Sequence, residues 1–254
     1  MAKMATKNPE ASNIRIACAG WTVAKEHSHL FPTNGTHLER YAALFDAVEI
    51  NATFYHLPKA ETIAKWRDAM PAGFRFAVKM PKDITHIGRL KDLTKLPVFL
   101  ERAAGLGEKL GPILVQLPPS LPFDPAVAEL FFSACRQGHT GDTVLEPRHL
   151  TWFTEAAEAL LEKHRIALVA ADPAINPAGT VPGAWTGIRY YRLHGSPQMY
   201  YSNYGDDYLQ ALYTALQAAP GQSPTWVVFD NTASGAAVGN GLHLKALIAQ
   251  SWPR

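Results

Sequence analysis

The sequence predicts an α/β fold, a single (β/α)8 TIM barrel, on three observations. Short apolar, β-rich runs alternate with amphipathic helical segments over 254 residues, about eight strands to about seven helices, which is the count such a barrel needs. Most runs end in one or two residues capable of chemistry, and parallel-strand barrels carry their active sites at the strand C-termini. Side chains along a strand alternate between two faces, and here the polar ends fall opposite the bulky residues. Glu49 and Asn51 oppose Val48 and Ile50, Lys79 opposes Phe74, Phe76 and Val78, and Arg192 and His194 oppose Tyr191 and Leu193. An open doubly wound sheet also gathers polar groups at strand ends. The chain lacks the Gly-rich fingerprint and the P-loop that often accompany that alternative.

The elements follow in order. Ile14–Cys18 is the first strand. Thr36 caps a helix, with Glu39 as its capping-box partner and Leu38, Tyr41, Leu44 and Phe45 at helical spacing. Val48–Tyr55 is the second strand, Glu61–Met70 a helix stopped by Pro71, and Phe74–Lys79 the third strand, followed by a turn-rich loop up to Lys95. Val98–Lys109 is helical, and Ile113–Leu117 is the fourth strand. Asp124 and Pro125 start a helix to about Gln137, because proline at the first helical position loses no hydrogen bond. Thr143–Glu146, Glu155–Lys163 and Ile166–Ala171 are strand, helix and strand. The stretch Asp172–Gly187 has no helical periodicity, so the barrel lacks a regular helix after its sixth strand. Ile188–Leu193, Asp206–Ala218, Thr225–Phe229 and Leu242–Ile248 complete the series as strand, helix, strand and helix.

Composition narrows the partners. A charged fraction of 18% with 47% hydrophobic residues is that of a globular chain. The formal net charge of +2 gives nucleic acid no support, although a local patch would still permit it. No apolar run approaches the ~20 residues that span a bilayer. The polar segment 1–13 reads as a disordered tail without a signal core, and 14–254 as the barrel domain. Cys18 and Cys135, far apart and outside any metal-type spacing, read as free thiols in a reducing, cytoplasmic setting.

Several stretches carry a family likeness: Val48–Tyr55 (VEINATFY), Ile84–His86 (ITH), Leu106–Pro119 (LGEKLGPILVQLPP), Glu146–Trp152 (EPRHLTW), Tyr191–Gly195 (YRLHG) and Asn231–Asn240 (NTASGAAVGN). On these the chain resembles the YecE-like family, domain of unknown function 72. The resemblance implies a TIM barrel and, by the family's own name, no assigned activity. The chain departs from the family at Ala17–Trp21 (ACAGW), where Gly-Thr-Ser-Gly-Trp is usual, and at Asp230, where a neutral residue is frequent.

The candidate site gathers residues from these strand ends. Glu49, Glu146, Asp172 and His194 are the catalytic candidates, since carboxylates and imidazole move protons near neutral pH once neighbours shift them. Asn51, Tyr55, Lys79, His86, Gln116, Arg148, His149, Arg192 and Asn231 are the binding candidates. Arg148 and Arg192 would clamp a phosphate or carboxylate, and Lys79 would add a point charge. The expected enzyme is therefore a hydrolase, lyase or isomerase acting on a small phosphorylated or otherwise anionic compound, with no cofactor. A non-catalytic ligand- or nucleic-acid-binding barrel is the rival. A glycosidase using Glu49 and Glu146 would need them to flank the bond. The order Glu146, Asp172, His194 on successive strands also resembles the divalent-metal ligands of xylose-isomerase-like and endonuclease-four-like barrels. A further option is that the charges form a structural ion network.

Overall fold

The computed structural model describes residues 13–218 and 223–250, so the expected disordered tail lies almost wholly outside the described residues. The strands are β1 Ile14–Cys18, β2 Ala47–Ile50, β3 Arg75–Lys79, β4 Leu110–Gln116, β5 Thr143–Glu146, β6 Ile166–Leu168, β7 Ala170–Asp172, β8 Gly183–Ala184, β9 Arg189–Leu193 and β10 Thr225–Phe229. The helices are α1 His37–Ala42, α2 Ala60–Ala69, α3 Leu96–Ala104, α4 Pro125–Gly138, α5 Glu155–Lys163, α6 Asp206–Ala218 and α7 Ala236–Gln250. One sheet runs β1-β10-β9-β7 and the other β2-β3-β4-β5-β6-β8. Every pairing is parallel except β6 with β8. A bridge between Ala19 and Glu49 links the ends of β1 and β2. Val169 alone separates β6 from β7, and its N–H donates to Leu145 O at 2.9 Å.

Local chemistry explains several boundaries. Thr36 and Glu39 form the reciprocal capping box, and the Asp124 carboxylate accepts from the N–H groups of Ala126 and Val127 at the start of α4. The turn-rich stretch after β3 contains a π-helical turn, Asp83–Ile87, which carries His86. Between β7 and β9 there is no α-helix, only a 3-10 turn at Pro177–Thr180 and the short strand β8. The closing helix α7 starts six residues before the expected Leu242. Its early turns contain Gly239 and Gly241, which conceal helical periodicity. Gly241 is there for contact: a Cβ would come within 2.8 Å of the Phe45 ring.

The alternation read from the sequence separates two apolar layers. Val48, Ile50, Phe74, Phe76, Val78, Val115, Leu193, Val227 and Phe229 belong to one cluster with the helices. Their strand neighbours Ala47, Ala77, Leu114, Val144, Val228 and Tyr190 belong to the other. This second layer is rich in alanine around Trp226 and Tyr190, whose rings stack at 6.1 Å. Small residues opposite large ones let the layer fill without voids. The same face continues upward into the polar strand ends. No helix among the described residues is long and apolar enough to cross a membrane.

Candidate functional site

Arg192, the fourth residue of β9, is fully buried. Its guanidinium reaches three carboxylates on three other strand ends. Nη2 lies 2.7 Å from Glu49 Oε1 and 3.1 Å from Asp230 Oδ2, and Nη1 lies 3.1 Å from Glu146 Oε2. Tyr190 donates to Glu49 Oε2 at 2.8 Å, and Gln116 Nε2 donates to Glu146 Oε2 at 3.2 Å. Burial alone would lower Arg192; the charges of Asp230, Glu49 and Glu146 outweigh it and hold the guanidinium well above its usual range. Burial likewise opposes ionisation of Glu146 and Asp230. His194, Arg148 and Arg192 nevertheless keep Glu146 well below the ordinary carboxylate range, and Arg192 with His194 keeps Asp230 low.

His194 follows β9 directly and is also fully buried. Its Nδ1 sits 2.9 Å from Asp230 Oδ2. Its Nε2 sits 2.9 Å from Glu146 Oε1 and 2.8 Å from Arg148 Nη2. Those two neighbours make opposite demands, because a carboxylate asks for an N–H and a guanidinium asks for a lone pair. Arg148 Nη2 is itself 2.5 Å from Glu146 Oε1. The Tyr200 ring meets His194 edge-on at 5.7 Å. Tyr200 has a φ of 70°, in a segment held at Gly195, where a Cβ would approach Ser202 O to 2.9 Å.

Around this buried layer lies a more accessible rim. The Arg148 side chain is 11% exposed, whereas those of Glu49, Glu146 and Arg192 are at most 1% exposed. Lys79 retains 6% exposure and places its Nζ 4.3 Å from the centre of the Phe54 ring. Burial and the nearby Arg192 charge bring the Lys79 ammonium down to about 8, against the pull of Glu49, Asp230 and Glu146. His86 meets the same Phe54 ring edge-on at 4.9 Å, and burial, then the Lys79 charge, lowers its basicity. Asn51 sits at the end of β2, and Tyr55 is exposed beside the Lys82 ammonium. Asn51 Oδ1 and Arg148 Nε are buried without a protein partner among the described residues. His149 turns to its own loop and bonds Thr151 through Nδ1.

Four expectations need correction. Arg192 does not present a free clamp for an anion, because its fork is occupied by Glu49, Glu146 and Asp230. Asp172 does not join Glu49 and Glu146: Tyr204 donates to its Oδ2 at 2.6 Å. Asp172 pairs with Leu193 and Ala171 with Arg192, so Asp172 lies on the Leu193 face. The metal set Glu146, Asp172, His194 is thereby split, and no group of His, Cys, Asp or Glu among the described residues is arranged to hold a metal ion. Asn231 is directed elsewhere too, its Nδ2 donating to Ser202 O and Asn240 Oδ1. The residues missed are Asp230, Tyr190 and Phe54. Alternation along β10 carries a signal for Asp230, since Trp226 and Val228 lie in the inner layer four and two residues before it. A cavity of about 450 Å³ opens nearby between the loops after β1 and β10, lined by Gly20, Thr22, Thr232, Ser234 and Gly235 among others. None of the expected site residues lines it.

Known proteins resemble this chain across its length. The family described as "Protein of unknown function DUF72" matches residues 15–253. The UPF0759 protein YecE of Escherichia coli (strain K12) is 35% identical over 126 residues, 48% of this chain and 45% of that protein. The UPF0759 protein YunF of Bacillus subtilis is 28% identical over 153 residues, 56% of this chain and 52% of its own. The chain thus spans about half the length of the curated relatives it matches. Among solved structures, a DUF72 family protein from Enterococcus faecalis V583 superposes with a TM-score of 0.75 at 22% identity, covering 94% of this chain and 97% of that one. A DUF72 family protein from Thermotoga maritima MSB8 gives 0.74 at 23% identity, covering 93% and 99%. At these identities the likeness is one of fold.

Proposed function

The chain belongs to the DUF72 family, and from that premise we propose that it is a cytoplasmic single-domain (β/α)8 barrel enzyme. It acts as a hydrolase, lyase or isomerase on a small phosphorylated or otherwise anionic compound at the C-terminal ends of its strands. The Ala19–Glu49 bridge and the single residue between β6 and β7 support joining the two sheets into one barrel. Two unpaired, buried cysteines support a reducing setting.

One observation carries the ligand class: charge is sorted by depth. Glu49 and Glu146 are sealed against Arg192 and Asp230 keeps 3% exposure, while the two most exposed charges of the cluster, Lys79 at 6% and the Arg148 side chain at 11%, are cations. An incoming molecule meets positive charge first. Arg148 then contacts the ligand, with an Nε donor still unpartnered. His194, held by Asp230 and touching Glu146, is the group placed to move a proton. Screening wild type against phosphate monoesters and small carboxylates tests this reading. Glu146→Gln or His194→Asn should abolish turnover while the ligand still binds.

A second reading, a non-catalytic ligand-binding barrel, draws on the fact that every carboxylate of the buried layer already has a cationic partner. Under it the same substitutions lower affinity, and no turnover is found to lose.

A further inference from the structure

Lys79 differs from every other charge in the cluster. Its Nζ has neither a hydrogen bond nor an ion-pair partner among the described residues, although three carboxylates lie close enough to act on it electrostatically. Its ammonium lies over the face of Phe54, 4.3 Å from the ring centre. The backbone at Lys79 is fixed, because Thr53 Oγ1 donates to Lys79 O at 2.6 Å. The amine is therefore positioned and largely buried, with no side-chain partner among the described residues. His86 stands on the same aromatic ring. The Thr85 hydroxyl lies 3.3 Å from Pro81 O and 2.9 Å from His86 Nδ1; when it donates to Pro81 O, Nδ1 carries the proton and Nε2 keeps a lone pair. A buried amine, an imidazole lone pair and an aromatic floor suit carbonyl condensation better than they suit a passive charge.

We propose that Lys79 is a nucleophile that forms an imine with the carbonyl carbon of a small anionic oxo compound entering over Phe54. The anionic part rests on the reading above; the imine does not. The neutral Nζ attacks the carbonyl carbon, and the carbonyl oxygen takes up a proton. The resulting carbinolamine loses the nitrogen proton to His86 Nε2. Its hydroxyl then takes the proton back from His86 and leaves as water, while the nitrogen lone pair forms the C=N bond. Amine, carbonyl and one proton thus give an iminium ion and water, with no oxidant or reductant consumed. Five charged or titratable groups bear on the amine: Arg192 from β9, Glu49 from β2, Glu146 from β5, Asp230 after β10 and His86 from the π turn. Their balance, together with burial, places the amine near 8, so it has a reactive neutral fraction at neutral pH.

The test is borohydride trapping of the intact protein with glyoxylate, read by peptide mass mapping. Matched runs use glycolaldehyde, a neutral aldehyde of the same size, and excess oxalate, an anion without a reactive carbonyl. The reduced adduct should form at Lys79 at least tenfold faster than at the exposed Lys59 and Lys91. Oxalate should suppress it, and glycolaldehyde should label Lys79 more slowly. Lys79→Arg, which keeps the charge, should lose the adduct with its circular dichroism unchanged. Labelling of Lys79 no faster than Lys59 overturns the nucleophile, even if calorimetry still detects oxalate binding and so sustains the anion site. Equal labelling by both aldehydes, without oxalate competition, overturns the anionic substrate class and leaves the imine standing.

Discussion

Arg192 and Arg148 both extend from strand ends toward Glu146, yet they do different work. Arg192 is sealed among Glu49, Glu146 and Asp230, and the energy of that arrangement belongs to folding. Arg148 shares Glu146 and His194 but keeps some exposure and an unpartnered Nε. Depth therefore separates a layer that holds the strands together from a rim that is available to a ligand. Desolvated ions are expensive to strand without partners, whereas rim ions can exchange a water for a ligand oxygen at little cost.

Breaking the deep layer should have the largest effect. Arg192→Met removes the cation shared by three buried carboxylates and leaves Glu49 with no cationic partner, so it should cost about 3–5 kcal/mol or prevent folding, measured by urea denaturation at pH 7. A loss below about 1 kcal/mol would erase the distinction between layer and rim. Next comes the pH dependence of the rim. The ordinary Lys79 value of 10.5 is brought down to about 8, so between those limits the unfolded chain binds more protons than the folded one. Stability contributed through Lys79 should then rise as pH rises from about 8 to 10.5, by about 1.4 kcal/mol for each unit of the difference. Lys79→Met should flatten that rise in chemical denaturation.

The carboxylates supply the opposite branch. Glu146 and Asp230 are depressed in the folded state, so their stabilising contribution is present above their unfolded values near 4. It should be lost as pH falls below that point, and Glu146→Gln should blunt the acid limb of a thermal-stability profile. At the rim, Arg148→Met should weaken oxalate binding by about 10-fold or more, as loss of a charge-assisted contact does. Its stability cost should stay well below that of Arg192→Met, since Glu146 retains Arg192. The smallest change expected is that of Tyr204→Phe, which removes the partner of Asp172. It should cost about 1–2 kcal/mol and leave oxalate affinity unaltered. A fall in affinity would return Asp172 to the site.

Much of the strand layout was legible because alternation is a geometric property of the chain. Val48 against Glu49 and Phe76 against Ala77 sort onto two faces from residue type alone. Continuing the same count decides Asp172 and Asp230. Ile166 and Leu168 lie on the outer layer, so Asp172 falls there; Trp226 and Val228 lie on the inner layer, so Asp230 falls there. Residue type alone does not separate these two strand-end acids; parity along the strand does. Other features had no local signal. The pairing of β8 with β6 depends on a chain reversal after Pro182, and the occupation of Arg192 by three acids depends on strands distant in sequence. The π turn that brings His86 to Phe54 is a tertiary outcome that turn-forming residues alone do not encode.

The Glu49–Arg192 pair joins residues 143 positions apart and crosses from one sheet to the other. During synthesis Glu49 is made long before the guanidinium that neutralises it. Until β9 emerges, β2 cannot close over its own acid without leaving that charge uncompensated. A truncated chain ending before β9 should therefore stay open at β2, however apolar its remaining strands. The pair sets a late checkpoint in assembly, and it ties the order of chain emergence to the moment at which the interior can seal.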